Sequence, residues 1–370
     1  MTALRRPRRT HRTTRALVAS AALVAVLAAC SSAGGAETPD DSAVTAGGDA
    51  EAPELRLGYF ANITHATALV GVSDGTYAKT LGDTELTTEI FNAGPAAVEA
   101  LFSGAIDATY IGPNPAINAF AKSDGEAVRI VAGATSGGAQ LVVREGIDDA
   151  EDLRGTTLAT PQLGNTQDVA LRAWLLDQGL KTSVTGGQND VEITPQENAQ
   201  TLDLFKQGTL DGAWLPEPWA SRLVLEGGAK VLLEESELWP EGDYVTTHLV
   251  VATEFLEQYP GTVKKLLEAQ VTTNEWIEAN PAEAATLANT AIGDLTGKKL
   301  GDDVLQRAWP NLRITNDPIA SSLQTSADHA AAVGVSDEVE LDGIYDLGPL
   351  NAVLAEHGLT AVSAAGLGSE

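Results

Sequence analysis

The sequence predicts an α/β protein of two similar lobes that face each other across a cleft. Short apolar runs alternate with helical patterns along most of the chain, as strands interleaved with helices do. One eight-residue pattern also occurs twice, as GAIDATYI from Gly104 and GTLDGAWL from Gly208. Both read Gly, any residue, Ile or Leu, Asp, two small residues, an aromatic and an aliphatic. Each follows a Leu-Phe helix end and precedes a Pro-containing loop, GPNP or PEPW. Earlier stretches echo at nearly the same offset: LRLGY with ANITHATALVGV, then TTLAT with PQLGNTQDVALRAWL. Two copies in register make two lobes, not a repeat array.

In chain order, Glu54–Tyr59 and Thr84–Phe91 read as strands, and Pro95–Phe102 as a helix stopped by Gly104. Ala108–Ile111 and Val128–Ala132 are further strands. Thr156–Thr160 is a strand closed by Pro161, Leu163–Thr166 a tight loop, and Gln167–Gln178 a helix stopped by Gly179. From Glu254 to about Asn289 the pattern is helical, which returns the chain to the first lobe. The extended apolar stretches Gln140–Arg144 and Thr246–Thr253 are expected as the two hinge crossovers. The resulting division is residues 54–139 with 248–350 as lobe 1, 140–247 as lobe 2, and 351–370 as a C-terminal segment.

The N-terminus is set apart from the fold. Six arginines precede an uncharged stretch, Ala16–Ala29, of 14 residues, which is short for a membrane span. It ends Leu27-Ala28-Ala29-Cys30, and Cys30 is the only cysteine. The combination resembles a bacterial lipoprotein signal over residues 1–29, with Cys30 lipidated as the mature N-terminus. Arg5-Arg6 leaves the export route, general secretory or twin-arginine, open. Residues 30–53, rich in Ser, Ala, Gly, Asp and Glu, read as a flexible tether. The expected location is outside the cytoplasmic membrane, held there by lipid.

Loss of the leader would take the formal charge from −28 to −34, because it carries six basic and no acidic residues. Such a chain is a poor partner for nucleic acid and is not drawn electrostatically to anionic lipid. A monomer is expected.

Candidate site residues follow from the loops at the C-terminal ends of the parallel strands, where open α/β sheets bind ligands. In the loop Gly164-Asn165-Thr166, the side chains either cap the helix or, with its free N–H groups, coordinate an oxyanion. Asp168, one residue pair further on, would repel an anion unless it points away or the ligand is zwitterionic or uncharged. In the first lobe, Asn62 or Thr64 caps the equivalent helix and His65 stands beside them. Gly112, Asn114 and Ser136 are candidates for the cleft wall. Trp214 is expected to line the cleft, with Trp219 packing. Glu217, between two prolines, either faces solvent or meets a donor group on the ligand. Asp107 and Asp211, duplicated between the lobes, are expected to bond turn amides.

No enzyme chemistry is legible. With Cys30 committed no thiol remains, the five histidines (11, 65, 248, 329 and 357) lack metal-ligand spacing, and no phosphate or dinucleotide loop appears. No cofactor or metal is expected.

FNAGPAAVEALFSGAIDATYIGPNPAINAF, DLRGTTLATPQLGNTQDVALRAWLLDQGL and LFKQGTLDGAWLPEPWASRLV resemble the sulfonate/nitrate/taurine group of ABC-transporter solute-binding proteins. The likeness runs from about Leu55 to Gly334, and GNTQD with PEPW marks a narrower branch. It implies a type II periplasmic-binding-protein-like fold with two hinge crossovers and an interlobe cleft. It also implies that a small solute is captured and handed to a permease driven by an ATPase. The loop at Gly164–Thr166 matches the position where sulfonate- and nitrate-binding relatives hold their anion. The solute is then a small organic anion, alkanesulfonate or taurine-like, possibly nitrate. A pyrimidine precursor of thiamine is the alternative among nutrients, and an enzyme of related fold the alternative of another class. The enzymes of that superfamily depend on a cysteine-rich motif that this chain lacks.

Overall fold

The computed structural model describes residues 49–185 and 188–370. The leader, Cys30 and most of the tether lie outside the described residues.

The described residues open with β1 (Glu54–Phe60), a 3₁₀ turn (Ile63–His65), α1 (Ala66–Ser73) and α2 (Thr76–Leu81). There follow β2 (Glu85–Phe91), α3 (Gly94–Phe102), β3 (Ala108–Ile111), α4 (Pro113–Lys122) and β4 (Val128–Gly137). A second group comprises β5 (Ala139–Val143), β6 (Thr157–Thr160), α5 (Thr166–Asp177), β7 (Glu192–Pro195) and α6 (Asn198–Lys206). It ends with β8 (Gly212–Pro216), α7 (Trp219–Gly227) and β9 (Lys230–Glu234). The chain then returns through β10 (Val245–Ala252), α8 (Thr253–Gln258), α9 (Pro260–Ala279), α10 (Pro281–Thr296) and α11 (Asp302–Ala308). It closes with β11 (Leu312–Ile314), α12 (Leu323–Ala332), β12 (Tyr345–Asp346), α13 (Gly348–Glu356) and β13 (Gly368–Ser369).

The strands of the described residues form two sheets. One runs β13-β12-β4-β10-β3-β1-β2 with β11 also on β4, and the other runs β7-β6-β8-β5-β9. The internal echo is therefore structural: β2-β1-β3-β10-β4 repeats as β7-β6-β8-β5-β9. In both, three parallel strands meet an antiparallel fourth, β10 or β5. The repeated aspartates make equivalent bonds. Asp107 Oδ2 accepts the Arg56 N–H at 2.8 Å, and Asp211 Oδ2 accepts the Thr157 N–H at 2.8 Å. These amides lie on the neighbouring strands β1 and β6, not in the turns where they were expected. Each carboxylate fastens a parallel pair at its start.

The crossovers also differ from expectation. Gln140–Val143 is the inner strand β5 and Thr246–Ala252 lies in β10, each hydrogen-bonded to strands on both sides. Burial on both faces makes such strands largely apolar and without period-2 alternation, which reads like a connector in sequence. The first crossing is instead at Gly137-Gly138, both at φ +77°. A Cβ at Gly137 would stand 2.7 Å from the Asn311 carbonyl oxygen, and one at Gly138 2.3 Å from Leu312 Cδ2. Only glycine suits both that conformation and that space. The second crossing is residues 235–244, two short 3₁₀ turns.

Each sheet buries its own apolar set. Leu57, Tyr110, Ile130 and Val250 lie in the larger core. The smaller sheet has Leu141, Leu158, Leu171 and Trp214 on one face and Ala213, Leu215, Phe205 and Leu223 on the other. Among the described residues no helix is long and apolar enough to cross a membrane.

Candidate functional site

Loops from both sheets converge on one small space. Its walls come from the ends of β1 (Phe60, Asn62, Thr64, His65) and β2 (Asn92), and from Gly112 after β3. The smaller sheet contributes Pro161, Asn165, Thr166 and Gln167 after β6, Asn198 after β7, and Pro216 of β8. Thr246 and Thr247 of β10 complete it. The cavity measures about 20 Å³, room for about one water, so the lobes are closed upon it. A solute of several heavy atoms enters only when they part.

No Asp, Glu, Lys or Arg lines this cavity. Its single titratable group, His65, is buried, and desolvation lowers its pKa to about 3. The imidazole is thus neutral. Its Nδ1 accepts the Phe60 N–H at 3.4 Å and its ring stacks on Phe60 at 4.3 Å, which leaves Nε2 to carry the proton.

The loop before α5 positions the most telling groups. Gly164 sits at φ +76° and donates its N–H to Asp168 Oδ2 at 3.0 Å, closing the turn. Asp168 also accepts the Thr160 hydroxyl at 2.9 Å and pairs with Arg172 at 3.1 Å, with both side chains buried. Its charge is thereby turned away from the cavity and balanced, one helical turn along. Asn165 does not cap α5 with its side chain. It donates to Gln167 Oε1 at 3.0 Å instead. Thr166 Oγ1 is buried without a protein partner, and so is Asn198 Oδ1 at the first residue of α6. Two helix N-termini, each with a partial positive charge, therefore meet one uncharged cavity with buried polar atoms left over.

Of the eleven predicted residues, the structure brings Asn62, Thr64, His65, Gly112, Asn165 and Thr166 to the cavity wall. Asn62 makes no side-chain cap to the 3₁₀ turn. Its Oδ1 accepts the Trp219 indole N–H at 2.9 Å, a bond from one lobe to the other. The Thr64 carbonyl accepts the hydroxyls of Thr135 and Thr247, at 2.7 and 3.0 Å.

Five residues stand elsewhere. Asn114 donates to the Ser326 carbonyl at 3.0 Å and ties α4 to α12. Ser136 Oγ, on β4, accepts from Arg313 at 3.4 Å. Gly164 shapes the loop from behind. Trp214 shares the face of β8 with Pro216 but lies deeper, edge-on to Trp174 and donating to Glu235 Oε2 at 2.7 Å. Glu217 is fully buried and used up within the protein. It accepts the Ser221 N–H at 3.0 Å and hydroxyl at 2.8 Å, the Asn311 amide at 2.7 Å, and Arg307 at 3.2 Å. Burial raises its pKa, and these donors act against that rise. The carboxylate caps α7 and holds it to α11, so the flanking prolines serve an interlobe joint.

Asn92, Gln167, Asn198, Thr246 and Thr247 escaped the sequence reading. The echo held the signal for two of them, because β2 and β7 occupy equivalent places and Asn92 and Asn198 follow them.

The NMT1-like family matches residues 48–292. A putative binding protein of Brucella abortus is 24% identical over 237 residues, 63% of this chain and 70% of that one. A putative aliphatic sulfonates-binding protein of Bacillus subtilis is 25% identical over 272 residues, 72% of this chain and 78% of the relative. Among solved structures, the alkanesulfonate-binding protein SsuA of Xanthomonas axonopodis pv. citri, bound to MOPS, superposes with a TM-score of 0.65. The match covers 77% of this chain and 95% of that one at 21% identity, and it shows a common fold.

Proposed function

The chain belongs to the NMT1-like family, and from that premise we propose that it is the extracytoplasmic solute-binding component of an ABC importer. It captures a small organic anion between its lobes and delivers it to a permease. The larger sheet with its helices acts as one lobe and the smaller sheet, from β5 to β9, as the other, and the two shut on the solute about the crossings at Gly137-Gly138 and 235–244. The lipidated Cys30 holds the protein to the membrane, and the binding unit is a monomer that makes or breaks no bond.

One observation carries the reading: the Thr166 hydroxyl is buried without a partner in an uncharged cavity that meets two helix N-termini. A buried polar atom costs free energy until it is paired, and a small oxyanion pairs with hydroxyl and N–H donors without needing a fixed cation. Binding such a solute in both lobes stabilises the closed form over the open one.

Thermal melting with a panel of alkanesulfonates and nitrate tests this, since a ligand of the folded state raises the melting temperature. At least one of these anions is expected to raise it, and Thr166→Ala to shrink the rise. A shift with pyrimidines alone, or chemical conversion of any compound in the panel, would sink the proposal.

A further inference from the structure

We propose that a groove beside the cavity is the solute's port of entry: Lys298 and Lys299 draw an anion into it, and Trp219 shuts it off against Asn62 once the anion has passed. This rests on the anion-binding reading above and adds the route by which that anion arrives.

The need for such a port follows from charge. The chain carries 51 acidic against 23 basic residues, so its field repels an anion at a distance. The cavity holds no cation to set against that field, and the helix dipoles that favour an anion inside it act only close to the helix ends. The attraction must therefore be supplied outside the cavity.

A groove of about 490 Å³ lies along the seam of the two lobes. Ala61 and the loop from α10 to α11 line it from the larger lobe, and Pro218 with the first turn of α7 from the smaller. Cations outnumber carboxylates in its walls, with Arg222, Lys298 and Lys299 against Glu226 and Asp303. Arg222 and Glu226 pair with each other at 2.7 and 3.2 Å and cancel. Lys298 and Lys299 are exposed, and neither is paired with a carboxylate among the described residues. Lys299 Nζ donates to the Thr290 hydroxyl at 3.0 Å, a bond that leaves its charge uncompensated. Two ammonium groups thus stand against one carboxylate at this seam.

Trp219 stands between the groove and the cavity. Its indole lines the groove, lies under the Arg222 guanidinium at 4.6 Å, and donates its N–H to Asn62 Oδ1 at 2.9 Å. Asn62 is itself part of the cavity wall. Because this bond joins the lobes, parting them draws Trp219 off Asn62 and opens the cavity to the groove. Closing remakes the bond behind the solute.

Titration calorimetry and stopped-flow fluorescence of the full chain with ethanesulfonate test both parts. In Lys298→Gln with Lys299→Gln, association is expected to slow about fivefold at about 10 mM salt and to match the wild type at about 0.5 M, with dissociation unchanged. Affinity falls by the same factor at low salt and recovers at high salt. Trp219→Phe keeps the ring and loses the N–H, so dissociation quickens about fivefold at both salt concentrations while association is unchanged. Wild-type affinity of the lysine variant at low salt, or a loss that persists at high salt, overturns the steering. A wild-type dissociation rate in Trp219→Phe overturns the closure, and in either case the anion site stands. If ethanesulfonate does not bind at all, the sulfonate-site reading falls and takes this inference with it.

Discussion

Gly112 and Thr166 meet across the cleft so closely that Gly112 has no room for a side chain in the closed form. A Cβ at Gly112 would lie 2.2 Å from Thr166 Oγ1, an overlap that the closed lobes cannot absorb. The Gly112 backbone, at φ −73°, is itself open to any residue, so the effect of a substitution is steric. Gly112→Ala is expected to leave the unliganded fold intact and to hinder closure. Small-angle scattering with saturating ligand then shows no compaction for Gly112→Ala, and compaction returns in the double variant with Thr166→Ala. Compaction of the single variant equal to the wild type would contradict the contact. The neighbouring Asp168 shows what was legible at this scale. The sequence raised it as an obstacle to an anion, and also contained the answer, Arg172 four residues on. What it did not contain was burial, and burial turns an optional helical pair into a closed one.

Helix α5 depends on that pair as an element. Asp168 sits beneath the first turn and braces the loop through Gly164 and the strand through Thr160, while Arg172 supplies the opposite charge. Removing one partner from a buried ion pair is far worse than removing both. Arg172→Met is expected to lower unfolding stability by about 3 kcal/mol, and Asp168→Asn with Arg172→Met to recover part of it, as read by urea melts. Equal stability of the single variant and the wild type would mean that the pair is solvated. Elements were legible where a start or stop residue bounded a periodic run. The helix predicted at Gln167–Gln178 forms at Thr166–Asp177, with Gly179 at φ +74° just beyond its end. They were illegible where pattern depends on what covers a strand. Residues 140–143 and 246–252 looked like linkers because an apolar run has the same appearance whether it crosses between sheets or lies at the centre of one. The same limit hid Glu217, whose partners Arg307 and Asn311 lie some 90 residues away in sequence.

Across the molecule, buried titratable groups set how stability follows pH, and they pull in opposite directions. Burial lowers His65 to about 3 and His248 to about 4, against 6.5 when exposed. Below pH 6.5 the unfolded chain therefore takes up protons that the folded one refuses, and stability is lost as pH falls. Glu235 behaves inversely. It lies in the second crossing, buried beside the Trp214 indole, and burial raises its pKa from 4.5 to about 7. Between those values the folded form holds a proton that the unfolded form has shed, so this contribution is lost as pH rises through 7. Above pH 7 the fold must keep a buried carboxylate ionised between its lobes. Glu235→Gln removes that cost and keeps an oxygen for the Trp214 N–H. Urea melts of the variant are therefore expected to show a gain on the order of 3 kcal/mol at pH 8 and little change at pH 5. The two histidines remain, so the variant's stability should still fall below pH 6.5. A gain of the same size at both pH values would show that Glu235 does not titrate within the fold.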